Sequence, residues 1–188
     1  MRLFFIFLLC VVLNTAYAQS QNKELFKKKG FSFGLGVGIG VLSLSTNDTL
    51  SAKFSTTIPN IKLGYMINSR LALWFLLPGA NYKYNGKARG FESFTIAAQY
   101  WVKNNWWVLG GTGLTFDAPA FYTVKDPKTA EFYTGFPSFS LGTGYEIWHK
   151  GRFALDVQYR IFLGKSNIAN DGHREGVSNM FILGFNWY

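Results

Sequence analysis

Residues 31–44 read FSFGLGVGIGVLSL, with glycine at every second position from Gly34 to Gly40. A glycine run of this kind is either a phosphate-cradling loop or a strand with one bare face, and spacing separates the two. A dinucleotide fingerprint needs G-x-G-x-x-G at the end of a strand, opening a helix. After Gly34 and Gly36 the completing position is Ile39, and neither G-K-[ST] nor an apolar helical period follows. Between the glycines stand Phe33, Leu35, Val37, Ile39 and Val41. That period of two makes the segment a β-strand with one bulky apolar face and one face without side chains.

Upstream, residues 1–18 begin with Arg2, continue as an apolar core from Leu3 to Leu13 and end in Ala16-Tyr17-Ala18. This is the pattern of a secretory signal peptide with a small-x-small cleavage site. The apolar core is too short to span a bilayer, and Leu9 before Cys10 does not fit a lipoprotein anchor. Cleavage there removes Cys10, the one cysteine of the chain, so the exported protein relies on no disulfide and no thiolate metal site. The formal net charge is +9, from 19 basic and 10 acidic residues. The cations are scattered through turns, loops and strand interiors, a distribution that points away from a nucleic-acid partner. Lys27-Lys28-Lys29 is the one basic run, and it reads as part of a solvated segment near anionic lipid head groups. No later stretch is apolar enough for a transmembrane helix.

Downstream, the period of two recurs. Strands are expected near 31–44, 53–67, 71–84, 90–102, 106–117, 135–148, 153–164 and 177–188. Short turns at 68–70, 103–105 and 149–152 alternate with longer loops near 45–52, 85–89, 118–134 and 165–176. In the seventh strand Phe153, Leu155, Val157, Tyr159 and Ile161 oppose Asp156, Gln158 and Arg160. In the second, Ile61, Leu63, Tyr65 and Ile67 oppose Asn60, Lys62 and Gly64; in the sixth, Phe139, Leu141, Tyr145 and Ile147 oppose Ser138, Ser140, Gly142, Gly144 and Glu146. Apolar residues outside and polar or small ones inside invert the plan of a soluble ligand-binding barrel and match a membrane barrel, whose short turns lie in the periplasm. Backbone groups in hydrocarbon must all be paired, which forces closure. The expected fold is therefore all-β, an eight-stranded antiparallel up-and-down transmembrane β-barrel. Residues 1–18 form the signal peptide, 19–30 a short periplasmic segment and 31–188 the barrel domain. Gly34, Gly36, Gly38 and Gly40 then face inward and leave room for large side chains from other strands.

Aromatic placement agrees. Tyr65, Tyr100, Trp101, Trp106, Trp107, Trp148, Trp187 and Tyr188 lie near the short-turn end or the C-terminus, where amphipathic rings suit a membrane interface. Tyr82, Tyr84, Phe91, Phe94, Phe116 and Phe136 are candidates for a second girdle. The leader, FSFGLGVGIG, the eight-strand count and the closing MFILGFNWY together resemble the small outer-membrane β-barrels of the outer membrane protein A, X and W type. The resemblance implies residence in the outer membrane of a Gram-negative bacterium as a monomer, contact with outer-membrane lipid and lipopolysaccharide, and insertion by the barrel assembly machinery. It also implies a C-terminal aromatic signal, which Tyr188 supplies, although the alternation of Phe181, Leu183, Phe185 and Trp187 leaves Tyr188 one step out of phase.

The inward charges Lys62, Glu146, Asp156 and Arg160, with Gln158, read as a lumen polar network. Eight strands leave an interior that side chains fill, and buried charges there must be paired. A narrow solute path, as the type W relatives imply, is the alternative. Some small barrels are lipid-modifying enzymes, and the lipid A deacylases carry H-x-S before their final strand. Here Gly164 stands two before Ser166. Ser166, His173 and Glu175 have the residue types for nucleophilic catalysis without that motif, so the pattern favours no enzyme, no metal and no cofactor. Phe121-Tyr122 and Phe132-Tyr133 flank Asp126-Pro127 in the longest loop. They suggest a hairpin beyond the membrane whose free edge and aromatics take a surface partner by strand addition. The overall expectation is an integral barrel with a structural or surface-interaction role.

Overall fold

The computed structural model describes residues 28–46, 49–57, 60–84, 87–120, 131–168 and 172–188. The leader thus lies outside the described residues, as do Phe121 and Tyr122. Ten strands follow one another: β1 (Gly30–Thr46), β2 (Thr49–Thr56), β3 (Asn60–Asn68), β4 (Leu71–Leu77), β5 (Gly79–Tyr84), β6 (Lys87–Trp101), β7 (Trp106–Pro119), β8 (Tyr133–Lys150), β9 (Phe153–Asn167) and β10 (His173–Trp187). Neighbours pair antiparallel, and β1 closes on β10 from Phe33–Trp187 to Thr46–Arg174. β2 with β3 makes one arm and β4 with β5 another, so the ring has eight arms.

Both expected strands 53–67 and 71–84 are thereby interrupted. Pro78 separates β4 from β5 because it has no N–H to offer a ladder; its carbonyl still accepts from Ser93 N at 2.9 Å. Pro59 stands in the sequence between β2 and β3. At this level the wall is held by an isolated bridge between Thr57 and Ala80. Above it, among the described residues, no ladder joins β2 to β5. Side chains span the seam instead: Ser55 Oγ donates to Asn81 O, and Asn81 Nδ2 donates to Thr56 Oγ1 at 3.3 Å.

Strands run further than expected at the end away from the tight turns. Residues 87–89, 133–134, 165–167 and 173–176, expected in loops, continue the ladders. The tight turns fall where the sequence puts them. Asn68 Oδ1 accepts from Arg70 N at 2.8 Å, and Gly151 takes φ +58°, a backbone conformation that favours glycine. The C-terminus is tied to this end, with Tyr188 N donating to Arg152 O at 2.8 Å.

The two faces separate as the alternation requires. Val37, Ile96, Leu141 and Phe181 are more than half exposed on the outside, which is the apolar band a bilayer covers. Inside, one apolar cluster near the turns includes Met66, Trp74, Leu76, Trp101, Trp107 and Tyr188. A second, towards the loops, includes Leu42, Tyr82, Phe91, Phe162, Met180 and Ile182.

The glycine stripe faces inward, for two different reasons. A Cβ at Gly34 would lie 2.4 Å from Lys62 Cε and 2.8 Å from Asn186 Oδ1, and one at Gly36 2.7 Å from Ile182 Cγ2. These positions make room for side chains, as expected. At Gly38 and Gly40 a Cβ would instead meet the carbonyl oxygens of Phe181 and Asn179 at 2.1 and 1.9 Å. There the close approach of β10's own backbone demands glycine.

Candidate functional site: the barrel interior

Polar side chains cross the interior in three tiers. The floor, at the tight-turn end, centres on Glu146. Lys28 Nζ donates to both of its oxygens, at 2.6 and 2.8 Å, Trp101 Nε1 donates to Oε1 at 2.9 Å and Tyr188 OH donates to Oε1 at 3.0 Å. The Lys28 ammonium also lies 4.1 Å from the Trp101 ring centroid and 4.7 Å from that of Tyr188, within cation–π range. Lys28 is thus buried inside the barrel, which corrects the expectation of a wholly solvated lysine run.

The middle tier holds Lys62, Asp156, Gln158 and Arg160, all at most 3% exposed. Asp156 accepts from Trp107 Nε1 at 3.1 Å and from Gln158 Nε2 at 2.7 Å. Arg160 donates to Gln158 Oε1 at 2.6 Å and to Asn60 Oδ1 across the lumen. Lys62 lies 4.7 Å from the Trp74 ring and 5.4 Å from the Trp107 ring, with Gln99 Oε1 at 3.5 Å. All five residues read from the sequence as inward and polar therefore face the lumen, Glu146 in the floor and the other four in this tier.

The upper tier did not emerge from the sequence. Asp117 Oδ1 accepts from Arg89 Nε at 2.7 Å, and Oδ2 accepts from Tyr82 OH at 2.6 Å and from Arg174. Arg89 reaches on to the carbonyl of Glu131 at 2.8 Å. Arg89 and Arg174 fall in the expected loops 85–89 and 165–176, yet the inward parity of Thr95, Ser93 and Phe91 continues to Arg89. That of Met180, Ser178 and Gly176 likewise continues to Arg174. Extending the alternation outward is the signal that finds them.

Several aromatics change place. Tyr65, Tyr100, Trp106 and Trp148 lie on the outer face near the turns, and Trp187 is half-buried under the Arg152 guanidinium, 3.8 Å from its ring. Trp148 is outside because the β8–β9 register slips between Glu146 and Trp148; such a bulge reverses the alternation. Tyr188 is not at the interface. It is fully buried, one step after outward Trp187, as are Trp101 and Trp107. Of the second girdle, Tyr82 and Phe91 point inward, while Phe94 and Phe136 stay outside. Phe116 is covered within a row of rings, its centroid 4.7 Å from that of Phe94 and 6.2 Å from that of Phe132. Phe132 is exposed, and Tyr133 lies under Arg89, 5.5 Å from ring centroid to guanidinium.

Ser166, His173 and Glu175 are not brought together as a triad. Ser166 pairs in register with Arg174 and is buried inside. His173 and Glu175 occupy the other face, 3.7 Å apart, with Lys165 Nζ 3.3 Å from Glu175.

No family model and no curated protein matches the sequence. Among solved structures, the chain is similar to Neisserial surface protein A, with 21% identity, a TM-score of 0.57 and coverage of 85% of this chain and 99% of that one. It also matches Ail, the attachment invasion locus protein of Yersinia pestis, in complex with the heparin analogue sucrose octasulfate (13% identity, TM-score 0.48, coverage 85% and 100%). A third match is the outer membrane protein OprG from Pseudomonas aeruginosa (11% identity, TM-score 0.43, coverage 85% and 96%). The similarity to the Neisserial protein establishes a shared fold.

Proposed function

We propose, from the premise that the chain folds as a small outer-membrane β-barrel, that it is an integral barrel with a plugged lumen and a structural or surface-interaction role. The observation that carries this is the floor. Glu146, Lys28, Trp101 and Tyr188 interlock across the turn-side mouth, and two further polar tiers stand above it. An interior of eight strands has no spare width once such side chains fill it. Catalysis is not part of the proposal, because the one serine-centred set is split between the two faces of the wall.

The outward part of the role belongs to the strand extensions, where Phe132 and Phe136 are exposed. A partner engaging residues 118–134 would contact the exposed Phe132 ring, with Phe136 beside it in the sequence. Lipid and lipopolysaccharide cover the apolar band, and the barrel assembly machinery inserts the chain. Planar-bilayer recording of purified protein tests the plugged lumen: the expected record is flat, and steady single-channel steps of one size refute it. Deleting residues 121–134 tests the surface role; unchanged binding to neighbouring or host cells removes it.

A second reading, a side path for small or hydrophobic solutes, draws on the seam between β2 and β5, where, among the described residues, no ladder closes the wall. Uptake of a small apolar solute into vesicles, abolished by a disulfide between cysteines introduced at Ser55 and Asn81, favours this path over the plugged structural barrel.

A further inference from the structure

The turn end of the barrel has four corners: the start of β1 beside the end of β10, and the turns that join β3 to β4, β6 to β7 and β8 to β9. Each carries an exposed cation, in that order Lys29, Arg70, Lys103 and Lys150. Among the described residues no exposed acidic side chain accompanies them. Glu146, the carboxylate of the floor, is buried and faces Lys28. Arg152 stands apart from the four, because its Nε donates to Tyr188 O and its guanidinium lies over the Trp187 ring. The loop end is different. There Lys53, Lys83, Lys87 and Lys165 share the surface with exposed Glu131 and Glu175, and Lys165 Nζ lies 3.3 Å from Glu175 Oε1.

The four cations also keep one level relative to the outer aromatics. Lys29 precedes Phe31 by two residues, and the Phe31 ring centroid lies 6.4 Å from that of Trp187. Arg70 adjoins Leu71, the register partner of Tyr100. Lys103 N donates to Trp106 O at 3.2 Å, and Lys150 follows Trp148 by two residues. Phe31, Tyr100, Trp106 and Trp148 are all on the outer face. Amphipathic rings settle in the head-group layer, so long cationic side chains just beyond them meet phosphates rather than hydrocarbon. A zwitterionic layer offers such a ring no net charge, whereas an anionic layer attracts each cation close to its surface.

We propose that Lys29, Arg70, Lys103 and Lys150 form a docking ring for anionic phospholipid head groups, of the phosphatidylglycerol class, in the leaflet that meets the tight turns. Carboxylates of the cell-wall polymer are the other polyanion such a ring could meet, but the aromatic level sets the four side chains at the lipid surface rather than beyond it. The inference rests on the membrane-barrel reading and adds to it a lipid class and a side.

Spin-labelled lipids report the shell around the folded barrel in phosphatidylcholine vesicles. At low salt, labelled phosphatidylglycerol should enter the motionally restricted shell about two- to fourfold more favourably than labelled phosphatidylcholine. The preference should vanish at about 1 M salt, where the Debye length falls to about 3 Å. It should vanish too when Lys29→Gln, Arg70→Gln, Lys103→Gln and Lys150→Gln are combined, and persist when Lys53→Gln, Lys83→Gln and Lys87→Gln are combined at the other end. All these positions are exposed, so both variants should fold, which the heat-dependent gel shift checks. Equal association of the two lipids with the wild-type barrel overturns the proposal. A preference that survives high salt or the turn-end variant, or that is lost in the loop-end variant, overturns it equally. Retention of purified cell-wall polymer by the turn end, without any lipid preference, assigns the ring to those carboxylates and also overturns it. If the turn-end variant fails to fold, the salt series and the loop-end variant still decide. A chain with no restricted lipid shell refutes the membrane-barrel reading and the ring together, whereas a shell without preference refutes the ring alone.

Discussion

Replacing Glu146 by glutamine tests whether the floor holds the barrel together. The carboxylate receives four hydrogen bonds, two from Lys28 at 2.6 and 2.8 Å and one each from Trp101 and Tyr188. Glutamine keeps one acceptor for the aromatic donors but turns an NH2 towards the Lys28 ammonium, leaving that cation buried without its counter-charge. With both side chains at most 8% exposed, solvent screening is slight, and breaking a buried pair from one side costs about 3–5 kcal/mol. Lys28→Met removes the ammonium instead, so the double variant should recover about 1–3 kcal/mol of the summed losses, as close pairs do. The assay is reversible urea unfolding of the barrel in lipid vesicles, followed by tryptophan fluorescence and by the heat-dependent shift in gel migration. A loss below about 1 kcal/mol for Glu146→Gln, or strict additivity with Lys28→Met, would refute the claim that the two groups form one buried unit.

Other outcomes follow from the same geometry. Gly38→Ala should block formation of the heat-modifiable folded form, because the new methyl group meets the Phe181 carbonyl. Gly34→Ala, which presses on the side chains of Lys62 and Asn186 but on no backbone, should fold with a loss of about 1–3 kcal/mol in the same urea titration. Val37→Arg, on the outer face opposite Leu183, should cost about 2–4 kcal/mol in vesicles if this point lies near the bilayer midplane. Tyr188→Phe deletes a buried bond to a charged acceptor and should lower stability by about 1.5–3 kcal/mol. Ser166→Ala should leave the acyl profile of lipids incubated with the reconstituted barrel identical to that of wild type by mass spectrometry.

The ring was legible because two faces of one sheet meet opposite solvents. A period of two in β1, β3, β8 and β9 records that difference residue by residue, and it placed Lys62, Glu146, Asp156, Gln158 and Arg160 inside. What escaped has specific causes. The upper tier lies where the strands leave the expected membrane-spanning lengths, so Arg89 and Arg174 looked like loop cations although their parity was intact. Trp101 and Trp107 lie close to a turn, but at this end a ring can serve a girdle or a core, and only phase separates them. Tyr188 obeyed its phase rather than its proximity to the end. The interruption at Pro78 is visible in the sequence as a proline within an apolar run. That it sits beside a second break in the neighbouring arm depends on register, which single-strand patterns do not contain.

The seam between β2 and β5 sets how the wall would tear. Elsewhere each arm is stitched to the next by a long ladder of amide bonds, broken at most by a single register slip, and loosening one rung leaves the others in place. Along this line the rungs are replaced by one bridge and a few side-chain links, so a pull on the outer rim finds a ready-made fracture. Isotope exchange at the amides of 52–56 and 80–83 should outpace that of β9 and β10, and single-molecule extraction should peel the first arms away before the last.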